Sequence, residues 1–169
     1  LYPQVLGKVM GGLGKEFDAE VSDDEARAFG ASVGDWPAFS DTAAALASLK
    51  QHFQLVILSN VDRASFARSN TQLQIEFDLI CTAEDVGSYK PARANFDYLL
   101  ARLEERGIAP GELLHVAQSL FHDHAPALSM GLQTAWIDRR AGKTGGGATL
   151  AGDPELRVSS RYASMAELA

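Results

Sequence analysis

Several short polar groups stand where apolar runs end, and each carries a residue type suited to handling a small anion. Ser59-Asn60 directly follows Leu55-Val56-Ile57-Leu58. Lys90 stands in Ser88-Tyr89-Lys90-Pro91, and Gln118-Ser119 opens a polar turn that reaches His122-Asp123-His124. A hydroxyl and an amide at the end of a strand can hold a carboxylate or phosphate without adding charge. An ammonium beside them offsets the negative charge that develops as a bond to such a group is made or broken. A second carboxylate, here Asp123, can orient a water or hold the lysine in place. Each residue also has a plainer reading. Ser or Asn after a strand often caps the next helix, a loop lysine is mostly solvated, and Asp123 could itself cap a helix. His122 and His124 flank Asp123, but neighbours two apart on a turn or helix start diverge, so no shared metal ion is expected. Cys81 lies in an apolar run and reads as a buried structural thiol.

These groups need strands to end in the same place. Residues 53–58, Phe77-Asp78-Leu79-Ile80-Cys81, Leu113-Leu114-His115-Val116-Ala117 and Thr134-Ala135-Trp136-Ile137 read as strands. The first is apolar enough to be buried on both faces. Helical segments alternate with them: one capped by Asp41, one capped by Asp62, one from Asn95 to Arg106 closed by Gly107, and one from Ala125 to Met130 closed by Gly131. Such alternation predicts an α/β fold with a doubly wound parallel sheet. Right-handed crossovers then bring the polar strand ends to one edge, where open α/β sheets bind ligands. Residues 1–35 read as helical, with Ser22 and Glu25 forming a capping-box pattern. Gly34-Asp35-Trp36-Pro37 reads as a linker. Residues 141–153 read as a mobile loop, followed by a short strand at Val158-Ser159-Ser160 and a helix from Ser164 to Leu168. Gly142-Lys143-Thr144 matches the end of a phosphate-binding P-loop, but Ile137 stands where its first glycine belongs.

Bulk properties narrow the partners. The chain has 169 residues, 46% hydrophobic and 22% charged, enough for one well-packed domain. A net charge of −7 with no basic patch argues against nucleic acid. No apolar run approaches a membrane span, one cysteine excludes an internal disulfide, and no signal peptide is evident, so a cytoplasmic location is expected. The expected partner is a small anionic substrate, with a homodimer as the open assembly.

The order of Ser59-Asn60 after a strand, Lys90-Pro91 before a helix, and a second strand running into a polar turn with Asp123 resembles the second, third and fourth motifs of the haloacid dehalogenase superfamily of hydrolases. Val61-Asp62-Arg63, the run from Glu84 to Pro91 and Trp136-Ile137-Asp138-Arg139-Arg140 look most like the branch of type II L-2-haloacid dehalogenases. The resemblance implies that residues 1–35 are the C-terminal part of a helical cap and 36–169 a Rossmann-like core. It implies that Ser59, Asn60, Gln118 and Ser119 bind substrate, that Lys90 balances charge and that Asp123 supports a hydrolytic water. Lys90, at an open sheet edge, is expected to bury little, so that its removal would alter stability by about 0.5 kcal/mol or less.

Two departures bear on the chemistry. Gln118 stands where metal-dependent phosphatases of the superfamily carry an Asp, so no cofactor is expected, and magnesium only if the reaction is phosphate-ester hydrolysis. Better-known dehalogenases carry Ser at the position of Gln118 and Asn at that of Leu120. The superfamily's nucleophile is an Asp ending the first strand, and no such motif precedes Ser59; Asp18, Asp23, Asp24 and Asp35 lie in the helical segment. The chain, which opens on Leu1, is therefore expected to be an N-terminally truncated form, inactive as it stands. Its core is expected to lack the central strand between those ending at Asn60 and Ser119, leaving a gap with unpaired backbone groups. The expected function is hydrolysis of a small 2-haloacid, with a phosphate-monoester phosphatase or a non-catalytic interaction protein as the other readings.

Overall fold

The computed structural model describes residues 1–144, 150, 152–153 and 155–169. Its N-terminal part is a helical hairpin, α1 (Tyr2–Glu16) and α2 (Asp23–Ala31), followed by a 3-10 turn at Ser32–Asp35. Ser22 caps α2 as its sequence suggests, exchanging bonds with Glu25 in both directions. The hairpin closes tightly because α2 offers Gly30 at the crossing. A Cβ there would stand 2.2 Å from the carbonyl oxygen of Pro3.

The remainder alternates strands and helices: α3 (Thr42–Leu49), β1 (Val56–Ser59), α4 (Arg63–Leu73), β2 (Leu79–Thr82), α5 (Ala83–Val86), α6 (Ala94–Glu104), β3 (Leu114–Ala117), α7 (Ala125–Ser129), β4 (Gln133–Ile137), β5 (Ser160–Tyr162) and α8 (Met165–Leu168). The fold is α/β with every strand pair parallel, as expected. The strands begin and end up to three residues away from the sequence reading. Phe53 is left exposed ahead of β1, and the last strand lies at 160–162 instead of 158–160.

Among the described residues the strands form two ladders, β1–β2 and β3–β4–β5, with no ladder joining β1 to β3. The two still lie side by side. Leu99 and Leu103 of α6, with Cys81, pack on Val56, Leu58 and Leu79 and also on Leu113 at the entrance to β3. Phe96, Ala127 and Leu132 touch both Leu58 and Leu113. α6 therefore spans both ladders on one face, and Gly107, at φ 74°, closes that helix in the left-handed conformation. On β3, Leu114 and Val116 stay exposed while His115 turns inward. β1 is half-buried throughout, not buried on both faces as its composition suggests.

Asp41 corrects another local reading. It stands at the N-cap of α3, but its carboxylate makes no cap bond there. It accepts from Arg139 Nη1 at 2.7 and 2.8 Å and from the backbone N–H of Met165 at 2.8 Å, so it ties α8 and the loop after β4 to α3. Asp62 does cap α4 through Ser65 N–H at 3.0 Å. Of the loop predicted over 141–153, residues 145–149 and 151 lie outside the described residues. No helix among the described residues is long and apolar enough to cross a membrane.

Candidate functional site

The site is assembled at the C-terminal ends of β1 and β3, with Lys90 between them. The Lys90 ammonium donates to Leu58 O at 2.8 Å and to Asp123 Oδ1 at 2.6 Å. One cation thus bridges the two ladders that share no backbone bonds. Its side chain is only 11% exposed, and that of Asp123 only 9%. The Lys90 ammonium is thus largely withdrawn from solvent, contrary to the expectation for a loop lysine. Its stem runs inward because its backbone is fixed by Asn60: Asn60 Oδ1 accepts from Lys90 N–H at 2.7 Å, and Asn60 Nδ2 donates to Lys90 O at 3.1 Å.

Asp123 reaches Lys90 from a wide turn. Leu120–His124 forms a π-helical turn in which the N–H of His124 returns to Ser119 O at 3.2 Å. Ser119 caps this turn, its Oγ accepting from His122 N–H at 3.0 Å and lying 3.0 Å from His122 Nδ1. Asp123 is therefore no cap and points inward. Burial works to raise its pKa, but the hydrogen bond from His115 and the adjacent Lys90 charge overcome this and hold it at about 2. It is a carboxylate at any ordinary pH.

The remaining predicted residues separate into two groups. Ser59 keeps a usable donor: its Oγ accepts one long bond from Val61 N–H at 3.4 Å, and its own hydroxyl proton finds no acceptor among the described residues. Asn60, by contrast, has both ends of its amide committed to Lys90. Ser119 is committed to its turn, and the backbone carbonyl of Gln118 accepts from Trp136 Nε1 at 2.9 Å. His122 and His124 diverge as expected: His122 faces Ser119, while His124 is fully buried and donates Nε2–H to Ala117 O at 3.0 Å. Burial lowers the pKa of His124, which keeps it neutral. Cys81 is fully buried, and desolvation raises its thiol pKa to about 11, as suits a structural residue.

Composition gives no sign of the residue that completes the centre. His115 Nε2 lies 3.1 Å from the same Asp123 Oδ1 that Lys90 contacts. Its signal in the sequence is a single polar residue at the inward position of an otherwise apolar strand, a placement that demands a buried partner.

As a magnesium site the donor set fits poorly. Gln118 offers only a neutral amide, and Asp123 Oδ1 already pairs with Lys90. No group of three His, Cys, Asp or Glu side chains converges as a metal site among the described residues. A cavity of about 270 Å³ is lined by Tyr2 of α1 and by Val61, Asp62, Glu84 and Tyr89, and by none of Ser59, Asn60, Lys90, His115 or Asp123.

The sequence profile of haloacid dehalogenase-like hydrolases matches residues 15–137, and the chain belongs to that family. No curated protein sequence matches. Among solved structures, the L-2-haloacid dehalogenase PA0810 is similar at 21% identity and a TM-score of 0.78, over 98% of this chain and 71% of that one. An L-2-haloacid dehalogenase from Xanthobacter autotrophicus, with chloropropionic acid covalently bound, is similar at 15% identity and a TM-score of 0.78, over 96% and 71%. A HAD phosphatase from Thermococcus onnurineus is similar at 24% identity and a TM-score of 0.62, over 94% and 67%.

Proposed function

We propose that this chain carries the anion-binding and charge-balancing half of a hydrolase centre that acts on a small 2-haloacid. The observation that supports it is the Lys90 ammonium held between Leu58 O and Asp123 Oδ1. Two of its three protons are committed there, which leaves one for a ligand. The hydroxyl proton of Ser59, at the end of β1, has no acceptor among the described residues. Together they can bind a carboxylate, while Asn60 sets the position of Lys90 and contributes only indirectly. Bound chloropropionic acid in the Xanthobacter relative supports the same substrate class.

The reaction needs a carboxylate that the 169 residues do not offer on a strand before β1. No ladder joins β1 to β3 among the described residues, and a parallel strand placed between them would end against Lys90, which contacts both sides. An Asp there would attack C2 of the haloacid, the halide leaving with the bonding electrons and an ester forming. Water would then add to the ester carbonyl, one of its protons passing to the departing alkoxide to give the 2-hydroxy acid and the other to solvent, which restores the carboxylate. Asp123, ionised at neutral pH, would orient that water by accepting its hydrogen bond.

The test compares the 169-residue chain with a version bearing, ahead of Leu1, an apolar strand that ends in Asp. Chloride release from 2-chloropropionate is expected only from the extended form, unaffected by EDTA, together with a higher Tm and less aggregation. Turnover by the 169-residue chain itself, abolished by mutating one of its own Asp residues, overturns the proposal. Activity on p-nitrophenyl phosphate that EDTA removes and magnesium restores favours the phosphatase reading. An extended form that is stable yet silent on both favours a non-catalytic role.

A further inference from the structure

The Asp123 carboxylate is unevenly engaged. Lys90 and His115 both address Oδ1, at 2.6 and 3.1 Å. No hydrogen bond among the described residues ends on Oδ2, and Oδ2 is absent from the buried atoms that lack a partner, so it keeps contact with solvent. A carboxylate held by one monodentate ammonium can still turn about its Cβ–Cγ bond and exchange its two oxygens. A second donor from another direction removes that freedom.

His115 is built to be that donor. It sits on β3 with its ring inward, edge-on to Phe96 at 5.3 Å between centroids and 6.4 Å from His124. The strand fixes its backbone and the rings fix its rotamer. The ionised Asp123 can only accept, so the proton in this contact belongs to His115 Nε2. The charged and titratable groups that face Asp123 are then Lys90 from the loop before α6, His115 from β3, and His124 from its own turn. His124 spends its Nε2–H on Ala117 O and cannot compete.

We propose that His115 is a positioning residue. By donating Nε2–H to Asp123 Oδ1 it locks the carboxylate rotation and leaves Oδ2 as the one oxygen presented to a water in the site. This rests on Asp123 serving the water step, but the contact itself is testable without substrate or turnover.

The experiment uses NMR on the unmodified 169-residue chain and on His115→Phe and His115→Gln. In the unmodified chain the His115 ring is expected to carry its proton on Nε2 at neutral pH, read from its ring nitrogen shifts. A bare Nε2 with the proton on Nδ1 overturns the proposal and requires no variant to fold. The carboxyl carbon of Asp123 is then followed against pH. His115→Phe, which keeps ring volume but has no donor, is expected to titrate at least one pH unit higher than the unmodified chain. His115→Gln, whose amide can donate, is expected to recover most of that difference. An Asp123 that titrates unchanged in folded His115→Phe, or a folded His115→Gln that behaves like the Phe variant, also overturns it. Failure of 2-chloropropionate chemistry with these NMR results intact would count against the proposed substrate and leave the His115 contact standing.

Discussion

Lys90 is gripped from two sides by residues of opposite character. From β1, the neutral amide of Asn60 holds its backbone through Lys90 N–H and Lys90 O. From the turn after β3, the charged Asp123 holds its ammonium. The first grip decides where the chain runs, and the second decides what charge is held at the strand ends. The Asn60 side contributes ordinary hydrogen bonds of about 1 kcal/mol each. The Asp123 side contributes a buried ion pair, whose loss is more damaging than its presence is stabilising. Positioning and charge are thus separate devices on separate elements, and each can be broken alone.

Breaking the charged grip has the largest expected effect. Lys90→Ala or Lys90→Met leaves Asp123 buried with His115 as its remaining partner. Removing one member of a buried pair costs about 3–5 kcal/mol. Both variants are expected to lose similar amounts in urea melts, because the stranded charge and not the missing stem is the cause. The double variant Lys90→Met, Asp123→Leu is expected to recover most of the loss. If Lys90→Met melts within about 0.5 kcal/mol of the parent, Lys90 belongs with exposed loop lysines after all.

Breaking the neutral grip comes next. Asn60→Ala removes both bonds to the Lys90 backbone and is expected to cost about 2–3 kcal/mol, counting the polar groups left without partners. The ammonium should keep its pairing with Asp123, so Asp123 should titrate nearly as before. A large rise in that titration would mean that the two grips are one unit.

Acid separates them by pH. Asp123 titrates near 3.8 when unfolded and at about 2 in the fold. Its contribution is therefore complete above the unfolded value and fades as pH falls through the folded one. The difference corresponds to about 2 kcal/mol. Stability of the parent should drop between pH 4 and about 2 more steeply than that of Asp123→Asn, where this limb is absent. Parallel acid limbs in the two proteins would remove Asp123 from the account.

Much of this arrangement was legible in the sequence, and what escaped it has definite causes. Strand–helix alternation gave the parallel α/β fold, and Asp62 and Ser22 cap the helices they precede. Strand limits differ because apolar residues such as Phe53 and Leu55 also stand ahead of the ladder, whose start only the pairing partners define. Asp41 reads as a helix cap because a local cap and a partner 98 residues away look the same in one dimension. Lys90 was expected to be exposed because composition cannot foresee that Asn60 turns its stem inward. His115 went unassigned because its acceptor lies eight residues on, across a π-helical turn that has no sequence signature.

The smallest stability effect bears hardest on function. Ser59 and Asn60 are adjacent and the sequence points both at substrate, yet Asn60 is engaged by Lys90 while Ser59 Oγ makes one long bond at 3.4 Å among the described residues. Ser59→Ala should therefore change stability by less than about 0.5 kcal/mol, far less than Asn60→Ala. Its effect on a bound carboxylate should be the reverse. A hydrogen bond to a charged group is worth about 1.5–3 kcal/mol, so losing the hydroxyl should weaken 2-chloropropionate about tenfold or more. Asn60→Ala should weaken it only as far as Lys90 moves. NMR titration of the three proteins with 2-chloropropionate reads both affinities, and urea melts read both stabilities. If Ser59→Ala binds as well as the parent, the β1 end has no direct part in holding substrate, and the third Lys90 proton alone carries the anion.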